Sequence, residues 1–200
     1  MDEWLNIVIR QLILYSLPVL VSLTVVVLLE TRLSKTPVPY PFFAVAWRGT
    51  WLPLLAALVF HRGIIIALPN SLSSSVKTAT LRCLAHCLLC LLGFALFSWS
   101  LAHSAPTGLP PLHHWWAKVL MFFNLCMACL HLLPLPGLLA GELLRASRWG
   151  GIISPCFKLK YGWIALTLLA ASPMLDLLLG ASVVFPIYES MSSLALQLSR

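Results

Sequence analysis

The side chains able to do chemistry are few and sit in apolar surroundings. Cys83, His86, Cys87 and Cys90 recur at helical spacing that is read as one stripe, and Cys126, Cys129 and His131 form a second group. Thiolate and imidazole are good soft ligands, so such residues suit a metal or haem. The plainer reading is packing, because small residues let membrane helices approach closely. On that reading no metal and no cofactor is expected. Glu30 ends the first apolar run close to Arg32 and Lys35, as an acid pairing with a base at an interface would. His61 and Arg62 interrupt a second run, and Asp176 lies inside the last. Charges there are costly in lipid and mark a polar cavity, a partner contact or a reach to headgroups. His113 and His114 precede Trp115 and Trp116, the composition of an outer interfacial belt.

The elements that must carry these residues are membrane helices. The chain has 200 residues, of which 60% are hydrophobic and 10% charged. Its mean hydropathy is +0.93. Soluble domains carry about 25% charged residues. A span needs about 20 apolar residues, so the length fits four or five spans in one bundle. The net charge of +7 is not gathered into an aromatic-interleaved basic patch, so nucleic acid is not an expected partner. The first apolar run, 5–29, is too long for a signal-peptide core and reads as an uncleaved span.

The expected fold is an all-α polytopic bundle in a single transmembrane domain, residues 1–200. Its spans are placed at about 5–29, 79–102, 116–144 and 161–184. The third breaks near Pro134 and Pro136, and the fourth kinks at Pro173. Residues 36–41, TPVPYP, forbid a regular helix. Residues 51–69 hold His61, Arg62 and Gly63 at mid-run and read as a re-entrant or broken segment buried against protein. The tail 185–200 is expected as a surface helix. The loops around Arg32, Lys35 and Arg48, around Lys77 and Arg82, and from Arg145 to Lys160 are basic and read as cytoplasmic, whereas 103–114 has no Lys or Arg. All three basic loops share one side only if 51–69 does not cross, which places both termini outside.

Residues 124–144, NLCMACLHLLPLPGLLAGELL, resemble the last core helix of the site-2 protease family of intramembrane zinc proteases. Asn124, Ala128, Leu132, Leu133, Pro134, Pro136, Leu138, Gly141 and Leu144 fall where that pattern wants them. Residues 81–97, LRCLAHCLLCLLGFALF, look like another core helix of the family, and 67–79 like the linker before it. Gly49 and Thr50 with Pro53, Leu54 and Leu55 are similar to the segment after its first core helix. The resemblance covers about residues 15–145.

The departures fall on the chemistry. The family binds zinc through His-Glu-x-x-His and an aspartate in the proline-rich helix. Here the first motif aligns with Leu29-Glu30-Thr31-Arg32-Leu33, which keeps only the acid, Glu30, at the general-base position. Leu139 stands at the aspartate, His131 replaces an asparagine, and His86-Cys87 replaces Gly-Pro. The resemblance therefore implies a degenerate, non-catalytic relative with no catalytic residue and no metal ligand. Its expected role is binding or assembling other integral membrane proteins in the bilayer, the bacterial inner (cytoplasmic) membrane being the expected location. The expected binding residues are His131, Pro134, Leu135, Pro136 and Gly137, where an opened helix resembles the clamp that holds an extended substrate. Two rivals remain: an active intramembrane metalloprotease with replaced ligands, and a transporter or channel-like subunit using His61, Arg62 and Asp176.

Overall fold

The computed structural model describes residues 2–34, 45–69, 75–103, 110–135, 137–147 and 162–199. The described residues are mostly helical, with no strand among them. Helix α1, Asp2–Ser34, is followed by a π-helical turn, Trp47–Trp51, that runs into α2, Leu52–Val59. Then come α3, Val76–Ala102; α4, Leu112–Leu130; α5, Leu139–Ala146; and α6, Gly162–Ala171. The last helical rod starts as a π-helical stretch, Asp176–Val184, and continues as α7, Phe185–Leu198.

Among the described residues three helices are long and apolar enough to cross a membrane: Glu3–Leu33, Val76–Ala102 and Asp176–Leu198. They present Leu88, Leu91, Leu177 and many other large apolar side chains outward, as a lipid-facing surface requires. Helix α4 has 19 residues, about 28 Å of rise. His113, His114, Lys118 and Asn124 make it more polar, and it is instead the central helix, with Met121, Phe123, Cys126 and Leu130 fully buried. It packs mainly on α3, where Gly93 permits the approach. A Cβ at Gly93 would lie 2.5 Å from the Met121 nitrogen.

Two expected boundaries are corrected. The span placed at 116–144 ends at Leu130, and α5 is a separate helix. The cause is Pro134: its ring would meet the Leu130 carbonyl, and it drives Leu133 out of helical geometry. The last apolar run breaks at Ser172 and Pro173 rather than bending there, and residues 185–198 prolong the rod that begins at Asp176. The Phe185 N–H bonds Gly180 O, five residues back. Pro186, which has no N–H to give, follows just where the spacing returns to four.

The interrupted segment folds back on itself. α2 has eight residues, about 12 Å of rise, far short of a ~30 Å hydrocarbon core. After it the chain turns at His61, in the left-handed region with φ 50°, and returns through buried Ile64, Ile65, Ile66 and Ala67. Leu68 N donates to Gly49 O at 2.9 Å, and Thr50 Oγ1 donates to Leu68 O at 2.7 Å. The two ends of the hairpin are thereby tied together on one side. Residues 36–41 and Cys156, Lys158 and Lys160 lie outside the described residues.

Candidate functional site

A buried ionic network sits at the end of the bundle where α1 finishes and α3 begins. α1 turns Ser22, Val26 and Glu30 inward, a stripe spaced by four. α3 starts at Ser75, whose Oγ accepts from Thr78 N at 3.3 Å, and Arg82 follows two turns later. Arg82 Nε lies 3.0 Å from Glu30 Oε2, with both side chains buried. Arg82 Nη1 donates to Gly137 O at 2.8 Å, and Nη2 donates to Thr78 Oγ1 at 3.3 Å. Removing water from these charges is costly, and only mutual pairing with further hydrogen bonds offsets that cost.

The proline-rich segment is held by this network. Gly137 adopts φ 77°, a left-handed conformation that favours glycine. It uses both backbone polar groups: its N–H donates to Glu142 Oε1 at 3.1 Å while its carbonyl takes Arg82. Glu142 Oε2 is 2.6 Å from Arg145 Nη2. His131 caps the other side of the turn. Its Nδ1 accepts from Leu139 N at 3.1 Å, which puts the ring proton on Nε2, and its carbonyl accepts from Ala140 N at 3.0 Å. A Cβ at Gly141 would overlap the Leu135 carbonyl, so the turn lies directly on α5.

One helical turn deeper, a second chain of hydrogen bonds crosses three helices. The Asn124 amide oxygen accepts from His86 Nδ1 at 2.8 Å. Asn124 Nδ2 donates to Ser22 Oγ at 2.8 Å and Leu120 O at 2.8 Å. Ser22 Oγ donates in turn to Pro18 O at 2.7 Å. Each donor meets an acceptor, and the rings of His86 and His131 lie 6.2 Å apart between the two networks.

Of the residues expected to bind a client, His131 and Gly137 are buried, Leu135 is half-buried and Pro134 is exposed; Pro136 lies outside the described residues. The N–H groups of Leu135, Gly137, Leu138, Leu139 and Ala140 are all engaged within the chain. An added strand would find few donors there. What the turn offers outward is apolar: Leu132 at 64% exposure, Pro134, and Leu143 on α5. Glu30 faces inward, whereas Leu29 and Leu33, aligned with the family's histidines, face out of the bundle.

The cysteine–histidine stripe is also corrected. His86 and Cys90 are buried, His86 against Asn124, whereas Cys83 is half-buried and Cys87 exposed, so the four do not converge on one buried point. Among the described residues no three His, Cys, Asp or Glu side chains are grouped as a metal ion requires. Arg62 and Asp176 lie where the hairpin meets the last helices, whereas His61 is exposed and its ring lies 6.5 Å from that of Trp4 on α1. Arg62 Nε donates to Ala171 O at 2.7 Å, a carbonyl left over at the end of α6, and Asp176 Oδ1 accepts from Ile64 N at 2.7 Å. The Phe185 ring fills the space beside Gly63 and Gly180, where added Cβ atoms would come within 2.6 and 2.8 Å of it.

Sequence reasoning passed over Arg82, which it counted only as a loop charge, and Glu142. Both stand inside apolar helical runs, and a charge in that setting needs a partner. No family model, curated protein or solved structure matches the chain.

Proposed function

We propose that this is a non-catalytic integral membrane protein that binds or helps assemble other membrane proteins on a scaffold resembling the site-2 proteases, in the bacterial inner membrane. The observation that carries the reading is the rigid apolar rim formed by Leu132, Pro134 and Leu143 over the buried Arg82–Gly137–Glu142 brace. A rim that is pre-ordered loses little entropy when a partner helix packs on it. Glu30, at the position of the general base, is committed to a buried ion pair with Arg82. It supports the non-catalytic reading, because a base tied to a guanidinium is a poor proton acceptor.

Photocrosslinkers at Leu132 and Leu143 test the proposal in cells. Both should trap a second integral membrane protein, whereas the same group at Leu168 or Leu177, on the outer faces of α6 and the last rod, should trap lipid. Lipid alone at Leu132 and Leu143 would sink the reading.

A further inference from the structure

The opposite end of the bundle carries a different arrangement. Glu30 lies twenty positions after Arg10 on α1, about 30 Å of helix, one hydrocarbon thickness. No charged residue stands between them. If Glu30 and Arg82 mark one interface, Arg10 sits at the headgroup level of the other. It is exposed and has no ion-pair partner among the described residues. The aromatic residues gather at the same end. Trp99 and His113 lie 6.2 Å apart, and Lys118 Nζ sits 5.8 Å over the Trp115 ring.

Two clefts run along the seam of α1 and α4 at this end. The smaller, about 320 Å³, is lined by Asn6, Arg10, Ile13 and Trp115 among others. The larger, about 450 Å³, lies further into the bundle between Leu17, Val21, Leu96, Trp116 and Leu120. Asn6, Arg10, Ile13, Leu17 and Val21 recur every three or four residues and so form one stripe of α1. The seam thus passes from a cation and an amide to a mainly apolar slot, with His113 the one ionisable side chain in its lining.

We propose that this seam binds one anionic phospholipid. Its phosphate lies against Arg10 and one acyl chain fills the larger cleft. The order of groups along the seam is the order along such a lipid. A zwitterionic lipid would bring its own ammonium group up to Arg10 and Lys118. The site is independent of the apolar rim at the other end of the bundle.

Native mass spectrometry of the full chain, equilibrated with equal amounts of phosphatidylglycerol and phosphatidylcholine in mild detergent, gives the test. One phosphatidylglycerol should be retained per chain in preference to phosphatidylcholine. Arg10→Gln should lower that retention about fivefold and leave phosphatidylcholine unchanged. Leu17→Trp, which fills the slot, should lower both. A second measurement uses the unaltered chain: phosphatidylglycerol brominated on its acyl chains should quench tryptophan fluorescence more than brominated phosphatidylcholine at the same mole fraction. Equal retention and equal quenching by the two lipids, or indifference to Arg10→Gln, would show ordinary annular lipid and overturn the proposal. Capture of a protein by a photocrosslinker at Leu17 would overturn it in favour of a protein occupant.

Discussion

Two regions of this bundle hold charge away from water, and they do it by different means. At the end of α1, charge meets charge: Glu30 with Arg82, and Glu142 with Arg145. At the foot of the hairpin, charge meets backbone: Arg62 takes the Ala171 carbonyl and Asp176 takes the Ile64 N–H. In the first, the Glu30–Arg82 pair joins two complete helices, the Glu142–Arg145 pair lies within α5, and Arg82 and Glu142 also hold the Gly137 backbone. The second completes unfinished elements, because the break at Pro173 and the extended stretch after Gly63 leave peptide groups with no helical partner. A charged side chain in these two regions is thus a cross-brace, a substitute for a missing backbone hydrogen bond or, for Arg82 and Glu142, both. The two uses fail differently when the side chain is removed.

The cross-brace should fail hardest. Arg82→Ala leaves Glu30 buried beside an empty space and releases Gly137 O. Breaking one half of a buried pair costs roughly 3–5 kcal/mol, and unfolding in mixed micelles should show a loss of that order. Glu30→Gln together with Arg82→Met should recover most of it, because the pair removed together leaves no lone charge. A double variant as unstable as Arg82→Ala would mean that the Gly137 contact, not the ion pair, is what matters. Gly93→Ala is next. Its new methyl group meets backbone of α4 at Met121 rather than a flexible side chain, and overpacking of this kind costs about 1–3 kcal/mol. Interhelical cysteine crosslinking between α3 and α4 should report the forced separation.

How much of this was legible beforehand follows the same division. The hairpin was legible: a charged pair and a glycine inside an apolar run are incompatible with a span, and the basic residues on either side demanded a return to one face. Its ends do meet, at Gly49, Thr50 and Leu68. The break at Pro134 was legible in kind but not in place, since Pro134 acts on the helix before it and ends α4 at Leu130, whereas that at Pro173 was legible in place but expected as a kink. The network at Arg82 was not read. Periodicity told which residues share a face of one helix, but the meeting of Glu30, Arg82 and Gly137 depends on how three elements are rotated against one another. The cysteine stripe misled for a related reason. Spacings of three and of four both return to roughly one side, yet His86 and Cys87, adjacent in the chain, are about 100° apart, and of the two only His86 is buried.

The hairpin junction gives a finer comparison. Asp176→Ala strands the Ile64 N–H in a buried position, which costs about 1–3 kcal/mol. Asp176→Asn keeps an oxygen at the same place and should lose a smaller part of that. If the asparagine variant is as damaged as the alanine one, the negative charge itself is needed, and Asp176 belongs with the cross-braces after all. Protease accessibility near His61 reads the loss locally, because the hairpin is tied to the last helices through Arg62, Asp176 and Phe185.

The smallest effect should come from the uncharged chain of hydrogen bonds. Asn124→Leu is close in volume and removes at one stroke the bonds to His86, Ser22 and Leu120. Counted as separate bonds these would sum to a large loss. Interhelical hydrogen bonds inside membranes nevertheless average only about 0.6 kcal/mol, with a maximum near 1.7, because the separated helices find other partners. Ser22 can keep its bond to Pro18 O within α1, whereas His86 has to leave one ring nitrogen without its Asn124 partner. The expected loss is therefore ~1–2 kcal/mol, and Asn124→Leu combined with His86→Phe should cost less than the two single changes added together. A loss comparable to that of Arg82→Ala would mean that neutral and ionic networks carry equal weight here, and the contrast between bracing charges and ordinary hydrogen bonds would have to be given up.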